Sequence, residues 1–314
     1  MRSQRVYVVI NPAAGQDRPV LAMLNRAFRA AQLDWDVGVT KADGDAGRLA
    51  SAAMEAGYDV VAALGGDGTV MEVAGSLAGT GIPLAILPAG TANVMSVELG
   101  IPGDLTLATA LLIGEHDIRA IDVGRMGDRN FILRIGIGLE AVMVEGAQRE
   151  LKDRVGVLAY GVSAVQALRE PLVSRYQIAL DGEVVDARGV ACVIANVGSV
   201  GQGQLSLLPD ISVDDGYLDV LVLERADLGS LLSMASSVIR GIGADQTLLH
   251  WQAREVTVVA DPPQPVQVDG EIIDPGPISA SVVPGALNVI VPSAKQIADP
   301  GLLAMSDPLG QPAN

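Results

Sequence analysis

The sequence predicts an α/β domain built on a doubly wound parallel sheet, followed by a β-sandwich domain. In the first part of the chain, short apolar runs alternate with helical patterns, as expected for parallel strands covered on both faces. After residue 118, short strand patterns and turn signals dominate instead. We therefore expect the α/β domain over residues 1–118, the sandwich over residues 119–292 and a loop-rich tail over residues 293–314.

Each element of the first domain is predicted from an apolar run or from a helical period. The predicted strands cover residues 6–10, 35–39, 60–64 and 83–87. The predicted helices cover residues 17–31, 45–56, 70–77 and 92–99, and Asp45 is placed to cap the second of them. In an open sheet with this alternation, ligands bind beyond the carboxyl ends of the strands.

The second domain is predicted from shorter strand patterns and two hairpin signals, Asp181-Gly182 and Asp269-Gly270. Two helical inserts, over residues 140–168 and 228–240, interrupt the strands. The predicted strands cover residues 120–124, 130–135, 176–180, 184–197, 217–222, 255–259, 265–268 and 278–283.

Composition excludes several classes of function. The formal net charge of −16 argues against nucleic-acid binding, because that function needs a basic surface. Cys192 is the single cysteine, which excludes a disulfide framework and a cysteine-based metal cage. The two histidines are far apart, so histidine catalysis is not supported. Neither a transmembrane run nor a signal peptide is expected, which predicts a cytoplasmic protein.

The sharpest signal is Gly65-Gly66-Asp67-Gly68-Thr69, which stands directly between a predicted strand and a predicted helix. Glycines there let backbone N–H groups approach a phosphate, and the start of a helix adds positive dipole character. Asp67 supplies a carboxylate that can bind Mg²⁺ directly or through water. The alternative is a tight turn whose aspartate only caps the helix. The strand–turn–helix setting favours the phosphate site.

Two further turns follow strands of the same predicted sheet, Asn11-Pro12-Ala13-Ala14-Gly15 and Pro88-Ala89-Gly90-Thr91-Ala92-Asn93. Each offers small residues with hydroxyl or amide groups suited to ribose and phosphate, although each alone could be a connecting turn. Three such turns at one sheet edge predict a nucleotide cleft. No Gly-Lys-Ser/Thr follows any of them, so the cleft is not a P-loop.

These motifs resemble the diacylglycerol kinase catalytic-domain family, which includes bacterial lipid kinases and the sphingosine and ceramide kinases. The Gly-Gly-Asp-Gly-Thr motif is shared with NAD kinases and phosphofructokinases, whereas the later motifs select the lipid kinases. Those later motifs are Asp122-Val123-Gly124, Asn196 with Gly201-x-Gly203, Asp214-Asp215-Gly216-Tyr217-Leu218-Asp219 and Val268-Asp269-Gly270-Glu271. The resemblance implies a Rossmann-like (NAD kinase/phosphofructokinase-like) domain followed by a β-sandwich domain.

The resemblance also implies an ATP- and Mg²⁺-dependent lipid kinase with assigned site residues. Asp67, with Asp122 through water, would join the catalytic Mg²⁺ network. Glu271, near Asp269, would be the general base that accepts the lipid hydroxyl proton. A second, structural Mg²⁺ would be held by Ser212, Asp215 and Tyr217. The ATP site would include Asn11, Pro12, Ala13, Ala14, Gly15, Thr40, Gly65, Gly66, Asp67, Gly68, Thr69, Glu72, Gly90, Thr91 and Asn93.

The chemistry of phosphoryl transfer supports these roles independently. The reaction needs in-line positioning, metal neutralisation of phosphate charge and a group that accepts the hydroxyl proton. Without a suitable histidine, a carboxylate is the available base. The segment 268–271 is also predicted to be a hairpin, and Asp214-Asp215-Gly216 could be only a turn.

The acceptor lipid stays open among diacylglycerol, ceramide and a sphingoid base. Gln16 stands where many family members have a basic residue, and Asn93-Val94-Met95 stands where many diacylglycerol kinases read Asn-Asp-Phe. Two other functions are alternatives: an NAD kinase-like enzyme that acts on a soluble acceptor, and a nucleotide- or lipid-binding protein without turnover.

A basic edge beside an apolar helical pattern over residues 149–168 could touch a bilayer, or the helix could pack into the core. The partners expected are ATP and a lipid substrate at a membrane surface, with no nucleic acid; the oligomeric state is left open, with a homodimer as one option. The expected location is cytoplasmic, with peripheral association with the inner face of the membrane.

Overall fold

The computed structural model describes residues 4–14, 19–139, 141, 172–199, 211–224, 248–299 and 301–302. The chain divides into two compact units. The first unit comprises Met1–Ile121, Ser199–Gln204 and Gly285–Asn314, and the second unit comprises Asp122–Gly198 and Leu205–Pro284. The described residues from Gly285 onward belong to the first unit, whereas the predicted ranges placed residues 285–292 in the sandwich.

The first unit is built on a parallel sheet with the strand order β2-β1-β3-β4. Beyond β4, the end of the last strand, β16, pairs in parallel through Val289 and Leu84. The four strands are β1 (Arg5–Ile10), β2 (Asp34–Val39), β3 (Val60–Gly65) and β4 (Leu84–Pro88). The helices of this unit are α1 (Val20–Ala30), α2 (Asp45–Glu55), α3 (Asp67–Leu77), α4 (Val94–Glu98), α5 (Leu105–Ile113) and α6 (Ala294–Ala298).

The burial of these elements explains why the apolar runs predicted them. Every residue of β3 and β4 is buried, as expected for strands covered on both faces. Helix α1 buries one face through Leu24, Ala27 and Phe28. The prediction missed α5, because its apolar residues surround the whole helix and leave no polar face to mark the period.

The second unit contains two antiparallel sheets, ordered β16-β13-β8-β9 and β12-β11-β10-β7-β14-β15. The long strand β16 pairs with β13 through residues 278–281. The strands outside the first parallel sheet are β5 (Asp117–Met126), β6 (Arg129–Phe131), β7 (Arg134–Gly138), β8 (Ser174–Leu180), β9 (Glu183–Gly189), β10 (Ala191–Ala195), β11 (Leu218–Leu223), β12 (Leu248–Ala253), β13 (Glu255–Asp261), β14 (Val266–Val268), β15 (Glu271–Ile273) and β16 (Ile278–Val291).

A large apolar cluster of the second unit contains residues from both of its sheets. Tyr176 and Ile178 of β8 and Ile135 of β7 are among its most buried members. Burial of this kind is the main source of stability for a two-sheet domain. The predicted fold class, a doubly wound α/β domain followed by a β-sandwich, is confirmed.

Both predicted hairpin turns are confirmed by their backbone angles. Asp181 and Gly182 have φ values of 50° and 95°, and Asp269 and Gly270 have φ values of 48° and 90°. Positive φ at both central positions is the geometry that favours Asp-Gly. The predicted strand over residues 184–197 is instead two strands, β9 and β10, because the chain passes from one sheet to the other at Val190.

Several sequence predictions lie outside the described residues: Gly15, Gly201 and Gly203, the membrane-facing segment over residues 149–168, the insert over residues 228–240 and the tail beyond residue 302. Within the described ranges, none of the helices is long and apolar enough to cross a membrane.

Candidate active site

The turns predicted to bind a nucleotide follow adjacent strands of the first unit. The Asn11 N–H donates to Leu64 O at 2.9 Å, and the Thr40 N–H donates to Ile10 O at 2.9 Å. These bonds join the carboxyl ends of β1, β2 and β3. Between β1 and β3 the strand order reverses, which is where doubly wound sheets bind their ligands.

Two cavities open at this edge of the sheet. The larger, of about 300 Å³, we call the β2-side cavity; it is lined by Asn11, Pro12, Ala13, Thr40, Lys41, Ala42, Asp43, Ala46, Gly68, Thr69 and Glu72. The smaller, of about 200 Å³, we call the β4-side cavity; it is lined by Ala14, Val20, Leu64, Pro88, Ala89, Gly90, Asn93, Gly103, Asp104 and Leu105.

Sequence reasoning missed part of the wall of the β2-side cavity. Lys41, Ala42 and Asp43 line it although they belong to no recognised motif. Their position in the sequence could have predicted this, because they follow the carboxyl end of β2 just as the predicted turns follow β1 and β3. Lys41 adds a cationic side chain to this wall.

The turns after β3 and β4 touch through two glycines. A Cβ atom built on Gly90 would lie 2.5 Å from the Cα atom of Gly66, so no larger residue fits there without a backbone shift. Asn93 holds this second turn closed: its Oδ1 accepts the Gly90 N–H at 3.0 Å, and its Nδ2 donates to Gly90 O at 2.9 Å. Thr91, between them, is exposed.

Asp67 is the first residue of α3, and its carboxylate also serves another helix. Its Oδ1 accepts the Val94 N–H at 2.7 Å, at the start of α4. Helix α3 itself begins after Gly66 and has no side-chain cap. The N–H groups of its first turn therefore present positive dipole character without a capping carboxylate, which suits a phosphate.

The Glu72 carboxylate accepts backbone hydrogen bonds at the N-terminus of α2. Its Oε1 accepts the Gly44 N–H at 3.0 Å, and its Oε2 accepts the Ala46 and Gly47 N–H groups at 2.9 and 3.3 Å. The carboxylate thereby fixes the wall of the β2-side cavity. Because the Glu72 carboxylate already accepts these N–H groups, a phosphate at this edge is favoured at α3 rather than at α2.

The prediction that Asp45 caps α2 is wrong. The residue before the helix is Gly44, with φ of 83°, and Asp45 lies inside the first turn. The Asp45 Oδ2 accepts the Lys41 and Ala42 N–H groups at 2.8 and 3.1 Å, so it stabilises the cavity loop instead. Hydrogen bonds from Arg48 first, and then from these two amides, hold the pKa of Asp45 down at about 2.

The asparagine and the threonine of the predicted motifs contact each other. Asn11 Nδ2 donates to Thr69 Oγ1 at 3.1 Å, and Asn11 Oδ1 accepts the Ala13 N–H at 3.0 Å. Thr69 is buried. These two side chains thus brace the turn after β1 against the start of α3, while Pro12 and Ala13 stay exposed.

In the second unit, Asp269 is bound by backbone amides. Its carboxylate accepts the N–H groups of Ile132, Leu133 and Arg134 at 2.7, 2.9 and 2.9 Å. Burial raises the pKa of the Asp269 carboxyl, and the three amide hydrogen bonds oppose that shift. Glu271 is exposed at the start of β15, where its Oε2 accepts a hydrogen bond from Arg129 Nη2 at 2.7 Å. Glu271 is therefore the more accessible of these two predicted catalytic carboxylates.

Asp122 is almost fully buried and holds the loop that carries the predicted structural metal ligands. Its Oδ2 accepts the Gly216 N–H at 2.6 Å, and its backbone N–H donates to Val213 O at 2.7 Å. Asn196, also buried, donates through Nδ2 to Asp122 O and Ile132 O at 3.0 and 2.9 Å. Asp122 and Asp269 therefore belong to one hydrogen-bonded network.

The predicted structural metal ligands are hydrogen-bonded within their own turn. Asp215 Oδ1 accepts the Tyr217 N–H at 3.0 Å, and Asp215 Oδ2 accepts from Gln252 Nε2 at 3.2 Å. Ser212 Oγ donates to Asp214 Oδ1 at 2.8 Å. Among the described residues, no group of three or more His, Cys, Asp or Glu side chains is arranged to hold a metal. These oxygen atoms are of the type that Mg²⁺ prefers, but their hydrogen bonds arrange them as a turn and not as a metal site.

A histidine–carboxylate pair, of which only the aspartate is buried, joins β11 and β12. His250 Nε2 and Asp219 Oδ1 are 2.6 Å apart, and Asp219 is fully buried. Burial raises the pKa of Asp219, while the contact with His250 opposes the rise. Sequence reasoning assigned no role to His250, and the pair joins β11 to β12.

Comparison with known proteins identifies the family. Residues 5–126 match the model described as the diacylglycerol kinase catalytic domain, and residues 134–291 match the YegS C-terminal NAD kinase beta sandwich-like domain. A Pseudomonas aeruginosa protein named "Probable lipid kinase YegS-like" is 32% identical over 307 residues, covering 95% of this chain and 97% of that protein.

Two further proteins are similar to this chain. An uncharacterised Synechocystis protein is 34% identical over 247 residues, which cover 75% of this chain and 55% of that protein. A crystal structure of a diacylglycerol kinase from Bacillus anthracis has a TM-score of 0.76 and 26% identity, covering 94% of this chain and 99% of that one. The chain belongs to the diacylglycerol kinase catalytic-domain family, and it is a kinase.

Proposed function

We propose that this kinase transfers the γ-phosphoryl group of ATP, with Mg²⁺, to a hydroxyl of a diacylglycerol-, ceramide- or sphingoid-type lipid. The observation that carries the proposal is the β2-side cavity beside the uncapped start of α3. A nucleotide phosphate would meet backbone N–H groups there, at the reversal point of a doubly wound sheet. The family membership favours a lipid as the acceptor.

The residues that line the two cavities at the carboxyl ends of the strands suggest which groups would contact the nucleotide. The phosphates would approach the backbone of Gly66 and Gly68, where no side chain intervenes. Asn11, Thr40 and Thr69 would contribute amide and hydroxyl groups to the remaining nucleotide, and the turn over residues 88–93 would close the other side. Glu72 would act by fixing the cavity wall, because both of its carboxylate oxygens already accept backbone hydrogen bonds.

The residues present fit a catalytic Mg²⁺ at Asp67. A carboxylate has about four lone-pair sites, so Asp67 can accept the Val94 N–H and also bind a metal or its water. When bound, Mg²⁺ neutralises phosphate charge during transfer. The role of Asp122 through water stays a prediction, because its carboxylate is almost fully buried and accepts the Gly216 N–H. Glu271 would accept the lipid hydroxyl proton while the lipid oxygen bonds to the γ-phosphorus, the bond to the β–γ bridging oxygen breaks, and ADP leaves.

The other finer predictions have weaker support. The second Mg²⁺ at Ser212, Asp215 and Tyr217 rests on the family resemblance alone. The side chains of Ser212 and Asp215 form hydrogen bonds within their own turn instead of an open metal site. Asp269 supports the base hairpin through its three amide contacts. Cytoplasmic location, peripheral binding to the inner face of the membrane and a homodimer stay predictions.

The test is transfer of label from γ-labelled ATP in the presence of Mg²⁺. The acceptors are mixed micelles containing diacylglycerol, ceramide, sphingosine or monoacylglycerol, with NAD as the soluble comparison. We expect label in at least one lipid and none in NAD. Label in NAD alone would favour the soluble-acceptor kinase, and label in no acceptor would favour a binding protein without turnover.

A further inference from the structure

The hairpin formed by β5 and β6 carries an arginine that contacts the proposed general base. Arg129 Nη2 donates to Glu271 Oε2 at 2.7 Å. The same nitrogen also donates to Val268 O at 3.4 Å. One guanidinium group therefore spans the turn at Asp269 and Gly270, with a carbonyl on one side and the Glu271 carboxylate on the other.

The backbone around this contact is held from several directions. Asp269 accepts the three consecutive N–H groups that begin at Ile132, just after β6. The Asp269 N–H donates back to Arg134 O at 3.0 Å, and the Gly270 N–H donates to Gln267 Oε1 at 2.7 Å. These hydrogen bonds fix the segment after β6 relative to the hairpin that carries Glu271. The backbone of Arg129 is therefore held at a constant distance from the Glu271 carboxylate.

The ion pair between Arg129 and Glu271 is too exposed to contribute much to the stability of the fold. The Arg129 side chain is 37% exposed and the Glu271 side chain is 67% exposed. Ion pairs at such positions add little to folding, because water screens the charges and two long side chains lose freedom. A short charge-assisted hydrogen bond does, however, favour orientations of the carboxylate in which Oε2 faces the arginine.

We propose that Arg129 is a positioning residue that orients Glu271 for proton transfer. Arg129 holds Oε2, so Oε1 is the oxygen that accepts the proton of the lipid hydroxyl. This inference rests on the proposed function, in which Glu271 is the base. It predicts that removing Arg129 lowers the rate of the chemical step without weakening nucleotide binding.

The test compares Arg129→Met with Arg125→Met in the full-length protein, using the lipid that accepts label best. Arg125 is a matched control: it is exposed, lies in the same hairpin and pairs with Asn130, whereas Arg129 pairs with Met126. The two arginines therefore point to opposite faces of the hairpin. We expect Arg129→Met to lower kcat by roughly 10- to 100-fold with KM for ATP unchanged. Arg125→Met should stay within about twofold, the scatter of an unrelated surface change.

Two further variants separate orientation from a structural effect. Arg129→Lys keeps one donor and should recover part of the lost turnover, and thermal unfolding should be the same for all arginine variants. In a Glu271→Gln background, Arg129→Met should cause no additional loss, because the two residues act as a unit.

Distinct outcomes would overturn the inference. Wild-type kcat in Arg129→Met, a rise in KM for ATP alone, or a full additional loss in the Glu271→Gln background would each show that Arg129 does not act through Glu271. In those cases an inactive Glu271→Gln variant leaves the proposed function standing. Full turnover in Glu271→Gln would instead remove the assigned base, and this inference with it.

Discussion

Asp67 Oδ1 accepts the backbone N–H of Val94 at 2.7 Å, so the aspartate that begins α3 also caps α4. This bond joins the turn after β3 to the turn after β4, where Gly66 and Gly90 already approach closely. One side chain therefore has two roles, a structural cap and a proposed contact to Mg²⁺. These roles can be separated by substitution.

Asp67→Asn keeps an acceptor oxygen for Val94 but loses the negative charge, whereas Asp67→Ala loses both. We expect Asp67→Ala to lower the free energy of unfolding by about 1 kcal/mol, as for other lost caps, and Asp67→Asn to lower it by less. Both variants should reduce turnover with Mg-ATP by at least about tenfold. Thermal unfolding and steady-state kinetics test this. Wild-type turnover in Asp67→Asn would contradict a metal role for this carboxylate.

Glu72 accepts three backbone N–H groups at the start of α2, so Glu72→Gln should leave at least one of them facing an amide donor. We expect a loss of about 1–3 kcal/mol in unfolding free energy. KM for ATP should rise more than kcat falls, because the wall of the β2-side cavity moves.

The matched control for Glu72 is Glu55→Gln at the exposed far end of α2. Its effect on stability should lie within about 0.5 kcal/mol. Equal melting of the two variants would show that the carboxylate of Glu72 does not fix this helix start.

Gly68 tests the phosphate approach, because a Cβ atom there meets no other atom within 4 Å. Gly68→Ala should fold normally and gain about 0.5–1 kcal/mol from helix propensity. Its methyl group should nevertheless raise KM for ATP, since it stands where phosphates approach α3. Gly75→Ala in the same helix also meets nothing within 4 Å and should leave KM unchanged. If both alanine variants have the same KM, phosphates do not approach this turn.

Gly90→Ala should destabilise the fold, unlike Gly68→Ala, because its Cβ atom would lie 2.5 Å from Gly66 Cα. Backbone overlap of this kind forces a shift, and we expect a loss of about 1–3 kcal/mol in unfolding free energy. Urea unfolding measures it. Wild-type stability in Gly90→Ala would show that the two turns are not in contact.

Asp45 provides a prediction for acid conditions. Its pKa is lowered from 3.8 to about 2, so its ionised form stabilises the fold above pH 4, and this contribution disappears as the pH falls towards 2. Asp45→Asn should therefore be less stable than wild type at pH 7, and the difference should shrink between pH 4 and pH 2. Urea unfolding across this range tests it. A difference that stays constant down to pH 2 would contradict the assigned hydrogen bonds.

Local patterns predicted much of the first unit. The apolar runs of β3 and β4, and the glycine turns after them, are properties of neighbouring residues that the sequence displays directly. The same holds for the Asp-Gly hairpins, since positive φ is a local requirement. Strand β16 was predicted only to residue 283, because Pro284 and Gly285 resemble a strand end although the strand runs on to Val291.

The side-chain contacts of the candidate site could not be predicted in the same way. Glu72 contacts the start of α2, and Arg129 contacts a hairpin 142 residues away in sequence. Both contacts depend on how elements pack, which no local period or motif encodes. The motif residues therefore predicted a nucleotide site at this sheet edge, whereas the structure shows that Glu72 and Asp45 accept hydrogen bonds from the backbone around it.

Glu271 is the proposed base that accepts the proton of the lipid hydroxyl. The most direct measurement is kcat for Glu271→Gln with the preferred lipid, together with ATP affinity by calorimetry on the same protein. We expect kcat to fall by roughly 10²- to 10⁴-fold, the usual contribution of a general base, with ATP affinity unchanged. Wild-type turnover in Glu271→Gln would contradict the account.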